Sequence, residues 1–208
     1  MTEAKPTIFI VDDDPSVRDS LELLIMSIGL DVKTYPSAQE FLNNAPPGAS
    51  GCLILDIRMP GMSGLDLQER CAGAGFFLPI IFITGHGTVP MSVRAMKAGA
   101  IDFLQKPFDE QDLINAINQS IERDRNTTQT RVELGIIVER IKTLSPREHE
   151  VFKLLVTGML NKQVAHTLGT SERTIKAHRS RIMEKMNVRS LADLARYAEK
   201  LNLFEPRH

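Results

Sequence analysis

The sequence predicts a doubly wound α/β domain, a five-stranded parallel sheet with helices on both faces, followed by a separate all-α domain of four helices with a helix-turn-helix. Three observations carry this. Short apolar runs at Ile8–Val11, Cys52–Leu55, Ile80–Ile83 and Phe103–Leu104 lead into the polar residues Asp12-Asp13, Asp56, Thr84 and Lys106. Strand and helix patterns alternate five times in about 120 residues, which implies right-handed crossovers and a parallel sheet. Downstream, Leu144–Met186 reads as helices around a glycine turn, the second carrying Arg and Lys on its outer face.

Ile8–Val11 is a buried-strand run, and Asp14-Pro15 supplies an N-cap with proline at the first helical position. The helix keeps its spacing through Val17, Leu21, Leu24, Ile25 and Ile28 until Gly29 stops it. Asp31–Tyr35 alternates as a strand, and Ser37-Ala38-Gln39-Glu40 is a capping box for the second helix. Cys52–Asp56 is followed by a loop with Pro60, Gly61 and Gly64, then a helix to about Cys71. Pro79–Thr84 pairs with a helix from about Pro90 to Ala98, closed by Gly99, and Asp102–Gln105 with a helix capped at Asp109. The strand order 2-1-3-4-5 fits, and it makes the ends of strands 1 and 3 neighbours at the topological switch point, bringing Asp12, Asp13 and Asp56 together.

Residues 5–121 form this first domain, 122–138 a linker, and 139–204 the second domain. The linker is polar and charge-mixed. Its apolar spacing allows a helical extension of the preceding helix, with Asn126-Thr127-Thr128 and Gly135 as weak points. Beyond it, Ser145-Pro146-Arg147-Glu148 is a capping box leading into Val151, Leu154 and Leu155, with a stop at Gly158. Asn161 caps a short helix, Gly169 makes the turn, and Ser171 caps a helix whose inward face is Ile175, Ile182, Met183 and Met186. Ser190–Leu201 supplies a fourth amphipathic helix.

The chain has 208 residues and a net charge of −1, which hides an asymmetry. Residues 1–121 hold 8 Lys+Arg against 15 Asp+Glu, and residues 144–208 hold 12 against 7. Only the basic C-terminal part therefore suits nucleic-acid phosphates. Cys52 and Cys71 have neither metal-ligand spacing nor a disulfide framework, and Cys52 reads as a small core residue. No apolar run approaches ~18 residues and no signal pattern opens the chain, so the expectation is a cytoplasmic protein without membrane contact.

Three carboxylates, an ammonium and a hydroxyl at one sheet edge point to a divalent cation and a transferred phosphoryl group, because like charges at one site repel without a cation. Asp56 is the candidate nucleophile, with Mg²⁺ screening the incoming charge, Lys106 pairing one phosphoryl oxygen and Thr84 donating to another. Lys106-Pro107 is an X-Pro bond in a tight turn, a place where cis geometry fixes the lysine's direction. His86 reads as a surface residue of a Gly-rich loop rather than a base. In the basic domain, Lys176, Ala177 and Ser180 fall on one outward face suited to base edges, and Lys162, Thr174, Arg179 and Arg181 suit phosphates. His178 fits packing and DNA contact equally.

Val11-Asp12-Asp13, Asp56-Ile57-Arg58-Met59-Pro60-Gly61-Met62-Ser63-Gly64, Thr84-Gly85-His86-Gly87 and Lys106-Pro107-Phe108 resemble the receiver domain of two-component response regulators of the FixJ type, and residues 144–201 resemble the LuxR-type DNA-binding domain. The resemblance implies a flavodoxin-like receiver with Asp56 as phosphoacceptor, Asp13 as a direct Mg²⁺ ligand, Asp12 as a ligand through water, and the Arg58 carbonyl as a further ligand. It makes Thr84 and Phe103 a switch pair, and gives Val89, Pro90, Met91, Val93, Met96 and Lys97 as a dimer surface in the phosphorylated state. It further implies a sensor histidine kinase, promoter DNA and RNA polymerase as partners, and an activator's role of the kind found in nitrogen fixation.

The function expected is thus a phosphorylation-activated transcriptional regulator, in which phosphate promotes receiver dimerisation and releases the DNA-binding domain. Two alternatives stand beside it. One is a constitutive DNA binder with a non-signalling receiver, against which the full set Asp13, Asp56, Thr84 and Lys106 argues. The other is an aspartyl-phosphate phosphohydrolase of the haloacid-dehalogenase type, which carries a second acid two residues past the nucleophile; Arg58 stands there.

Overall fold

The structure, a computed structural model, describes residues 5–85 and 87–201. His86 and residues 202–204 of the expected second domain lie outside the described residues. The described chain divides between Thr128 and Gln129 into two compact units.

In the first unit β1 (Thr7–Val11), β2 (Asp31–Tyr35), β3 (Gly51–Asp56), β4 (Ile80–Thr84) and β5 (Asp102–Gln105) form one sheet in the order β2-β1-β3-β4-β5, parallel throughout. Between them run α1 (Pro15–Ser27), α2 (Ala38–Asn44), α3 (Gly64–Gly73) and α4 (Val89–Lys97). The inner strands β1, β3 and β4 are apolar without alternation because both faces are covered, whereas β2 at the edge alternates as its sequence predicts. Ile8, Ile10, Cys52, Ile54, Ile81 and Ile83 pack with Leu21 and Ile25 of α1, whereas Phe9, Val11, Leu53, Leu55 and Phe82 pack with Phe41 of α2 and Leu67 of α3. Both cysteines are buried and free.

Local chemistry accounts for most boundaries. Asp14 accepts from Ser16 N at 2.8 Å with Pro15 at the first helical turn of α1. Ser37 caps α2, but the expected capping box forms only by half, since the Glu40 carboxylate accepts from Asn44 Nδ2 at 2.7 Å. The Lys106-Pro107 bond is cis.

Helix α5 runs unbroken from Glu110 to Lys142, so residues 122–138 form no loop. Its first part belongs to the first unit, where Leu113, Ala116 and Ile117 enter the core beneath the sheet. Its last part belongs to the second unit through Ile137. There α6 (Pro146–Val156), α7 (Asn161–Thr167), α8 (Glu172–Met186) and α9 (Leu191–Lys200) enclose Val151, Phe152, Leu155, Val164, Ile175, Ile182, Met186, Leu194 and Ala198. The Ser145–Glu148 capping box of α6 is complete. One boundary is corrected: Leu160, not Asn161, is the N-cap of α7, because Gln163 reaches back and accepts from Leu160 N at 2.8 Å. Gly169 has φ of 62°, which lets the chain turn sharply between α7 and α8.

Candidate functional site

Asp12, Asp56, Thr84 and Lys106 meet at the carboxyl edge of the sheet. Asp12 follows β1, Asp56 ends β3, and the pairing of β3 with β4 sets Asp56 opposite Ile83, one residue before Thr84. Lys106 follows β5, and its backbone N–H donates to Thr84 O at 2.8 Å. All but Lys106 are buried, Asp56 to 6% exposure.

The Lys106 ammonium links the two buried carboxylates, at 2.8 Å from Asp12 Oδ2 and 3.5 Å from Asp56 Oδ1. The other oxygens take backbone donors: Asp12 Oδ1 accepts from Asp14 N at 2.9 Å, and Asp56 Oδ2 from Arg58 N at 2.7 Å. Burial pushes the Asp56 carboxyl above the ordinary aspartate range, Lys106 pulls it down, the like charge of Asp12 raises it again and the Arg58 N–H lowers it. One ammonium among these acids leaves negative charge in excess.

Asp13 is exposed. With Arg58, Ile57, Met59, Ser63 and Met91 it lines an open cleft of about 530 Å³ beside Asp56. Among the described residues no three acidic, histidine or cysteine side chains already converge as a metal shell. The donors nonetheless suit Mg²⁺: they are carboxylate oxygens, and the buried pair shares a single cation, so a further positive charge relieves it.

Two glycines shape this edge. A Cβ on Gly64 would lie 2.2 Å from Asp56 O, so the loop carrying Arg58 closes tightly only without one. A Cβ on Gly87 would lie 2.8 Å from the Phe103 ring and 3.1 Å from the Thr84 methyl. The loop before α4 thus rests on both residues at once, with Phe103 half-buried against the core. Along α4, Val89, Pro90, Val93, Met96 and Lys97 are exposed, while Met91 is half-buried and packs on the core.

In the second unit, α8 buries Ile175, Ile182 and Met186 and turns Arg173, Lys176, Ala177, Ser180 and Arg181 outward. Lys176 Nζ lies 3.3 Å from Glu172 Oε1, the Thr174 hydroxyl is 2.8 Å from the Ser171 hydroxyl, and Lys162 of α7 is exposed. Arg179 is half-buried. So is His178, whose Nδ1 is buried without a hydrogen-bond partner among the described residues.

Sequence reasoning missed three long-range polar links, having named Glu148 only for its capping box. Glu148, 4% exposed, receives Lys185 Nζ at 2.6 Å, and the same ammonium donates to Thr143 O at 3.1 Å. Lys185 first, and Ser145 after it, hold Glu148 down to a pKa of about 2. Arg140 donates to Met186 O at 3.1 Å and to the Tyr197 hydroxyl at 3.4 Å. Asp124 on α5 is buried and accepts from Ser50 Oγ and Gly51 N at 2.6 and 2.9 Å. Its place three residues past Ile121, on the inward face of α5, is the signal that could have found it.

Comparison with known proteins agrees with this division. The response regulator receiver domain matches residues 8–118, and the luxR family of bacterial regulatory proteins matches residues 142–198. The chain is 49% identical over 204 residues to nodulation protein W of Bradyrhizobium diazoefficiens, covering 97% of this chain and 90% of that one. It is 48% identical over 201 residues to the response regulator protein TmoT of Ectopseudomonas mendocina, covering 97% and 91%. Among solved structures, a low-resolution structure of response regulator StyR aligns with a TM-score of 0.83 and 49% identity, covering 95% of this chain and all of that one. Full-length FixJ from B. japonicum aligns at 0.58 with 38% identity, covering 98% and 100%.

The chain belongs to the two-component response regulators. It is a transcriptional regulator that joins a receiver to a LuxR-type DNA-binding domain.

Proposed function

We propose that Asp56 accepts a phosphoryl group from a sensor histidine kinase and that this modification switches the chain to binding promoter DNA. The observation that carries it is the position of Asp56: a buried carboxylate at a strand end, 3.5 Å from the Lys106 ammonium and beside an open cleft. One of its oxygens attacks phosphorus, the bond from phosphorus to the donor breaks, and the donor leaves with that electron pair. Lys106 pairs with a phosphoryl oxygen and the Thr84 hydroxyl donates to another. Asp12, Asp13, Asp56 and the Arg58 carbonyl are the groups that would hold Mg²⁺, which neutralises charge at the attacking carboxylate and the phosphoryl oxygens when bound.

The switch passes through Thr84 and Phe103. As Thr84 moves toward the phosphoryl oxygens, space opens behind it and Phe103 turns inward. The α4 surface at Val89, Pro90, Met91, Val93 and Lys97 then meets a second receiver, and the DNA-binding domain is released. In that domain Lys176, Ala177 and Ser180 read bases, and Lys162, Thr174, Arg179 and Arg181 hold phosphates. RNA polymerase is the partner downstream, and the cytoplasm the compartment. No helix among the described residues is long and apolar enough to cross a membrane.

Acetyl phosphate with Mg²⁺ tests the reading. Wild-type chain is expected to take a hydroxylamine-sensitive label on Asp56, and Asp56→Asn none. An equal label on both would remove Asp56 from the role.

A further inference from the structure

Asp124 lies six residues beyond the receiver match and has no part in the phosphoryl site. It is 5% exposed, and its two donors, Ser50 Oγ and Gly51 N, are both neutral. Burying a carboxylate there carries a desolvation cost that an apolar residue would avoid, so the position is occupied for the link it makes. Gly51 has φ of 135°, a backbone region that L side chains rarely adopt, and a Cβ on it would meet Thr7 O at 1.9 Å. The start of β3 is therefore a fixed point, and α5 is fastened to it.

What α5 does beyond that point gives the link a consequence. From Ile121 to Ile137, Asp124 is the one fully buried side chain before the second core begins. The stretch between, exposed except for half-buried Thr128 and Leu134, contains Asn126, Thr127, Thr128 and Gly135, all poor helix formers, and a helix of that length is marginal in water alone. Within it Glu133 pairs with Lys200 Nζ of α9 at 2.6 Å, and anchorage at both ends adds to that support. Ile137 anchors it in the second core, and Asp124 anchors it in the receiver.

We infer that Asp124 is a positioning residue: by fastening α5 to the start of β3 it keeps the connecting helix wound, and so sets how much of the phosphorylation signal reaches the DNA-binding domain. The inference rests on the reading of Asp56 proposed above.

The test uses full-length chain, acetyl phosphate with Mg²⁺, and a duplex selected from a random-sequence pool by the phosphorylated wild type. Asp124→Ala is expected to label on Asp56 at the wild-type rate. Amides 125–133 are expected to exchange roughly 10-fold faster, the effect of losing one buried hydrogen-bonded group. The phosphorylation-dependent gain in DNA affinity, about 5- to 150-fold for coupling of ordinary strength, is expected to fall toward unity. Ser50→Ala, which removes one donor and spares the fold, is expected to move both readouts the same way by less. Unchanged exchange and unchanged gain in both variants would overturn the anchor. Faster exchange with the full gain retained would overturn its role in coupling. Absence of label on the wild type would instead overturn the reading of Asp56, while the exchange experiment still tests the anchor by itself.

Discussion

Lys106 stands closer to Asp12 than to the proposed phosphoacceptor: its ammonium is 2.8 Å from Asp12 Oδ2 and 3.5 Å from Asp56 Oδ1. Asp12 is thereby the better compensated of the two buried acids. Asp56 keeps enough of its burial penalty to hold its carboxyl above the ordinary range, which leaves room for a further cation beside it.

Lys106→Met removes the shared cation and leaves Asp12 buried without its main partner. A loss of about 1–3 kcal/mol in receiver stability is expected, the usual effect of stranding one buried partner, read as a lower urea midpoint by circular dichroism. The phosphodonor label should also form more slowly. An unchanged midpoint would mean that Asp12 finds another partner.

Glu148 gives the DNA-binding domain an acid-sensitive joint. Its pKa is lowered from 4.5 to about 2, first by Lys185, so its stabilising effect is present above 4.5 and fades as pH falls from there toward 2. Glu148→Gln should unfold earlier than wild type at neutral pH, and the gap between their melting temperatures should close across that window. A gap independent of pH would point to packing rather than charge.

Gly87 sits where a methyl group would press on the Phe103 ring and the Thr84 methyl. Gly87→Ala is expected to displace the ring or the loop and to cost about 1–3 kcal/mol, as overpacking does. Phosphate should still label Asp56, while the DNA response to it weakens. A full response in this variant would separate Phe103 from the switch.

Lys176→Ala should relax preference at one base position, costing ~1–3 kcal/mol on the preferred duplex. It also removes the exposed ion pair with Glu172 at 3.3 Å, which contributes little to stability. Lys162→Ala should weaken all sequences alike and flatten the salt slope by about one. Phosphorylated dimers should prefer half-sites about one helical turn apart and lose affinity when ~5 bp is inserted. Affinity that ignores the insertion would contradict symmetric docking.

The sheet was legible because both of its faces are covered: Ile8 to Val11 read as one unbroken apolar run, and the polar residues after such runs mark a single edge. The first turns of the helices were legible too, through Asp14, Ser145 and Ser171, whose side chains accept from backbone N–H groups two or three residues on. At the site, sequence brought Asp12, Asp56, Thr84 and Lys106 to one place.

What stayed hidden depends on partners distant in the chain. Asp124 and Ser50 are 74 residues apart, Glu148 and Lys185 are 37, and no local pattern joins either pair. The winding of α5 through Asn126-Thr127-Thr128 was legible only in part, because the apolar spacing allows a helix there while the local propensity of these residues argues against it. At Leu160, a glutamine reaching back replaced the expected asparagine cap, a choice between two short-range bonds that composition leaves open.

Phosphate on Asp56 is expected to control DNA binding. The most direct measurement is the affinity of full-length wild type and of Asp56→Asn for one selected duplex, with and without acetyl phosphate and Mg²⁺. Wild type should bind about 5- to 150-fold more tightly after phosphorylation, the range of ordinary allosteric coupling, and Asp56→Asn should not respond at all. A wild type whose affinity is the same in both conditions while Asp56 carries its label, or an Asp56→Asn chain that responds like wild type, would contradict the account.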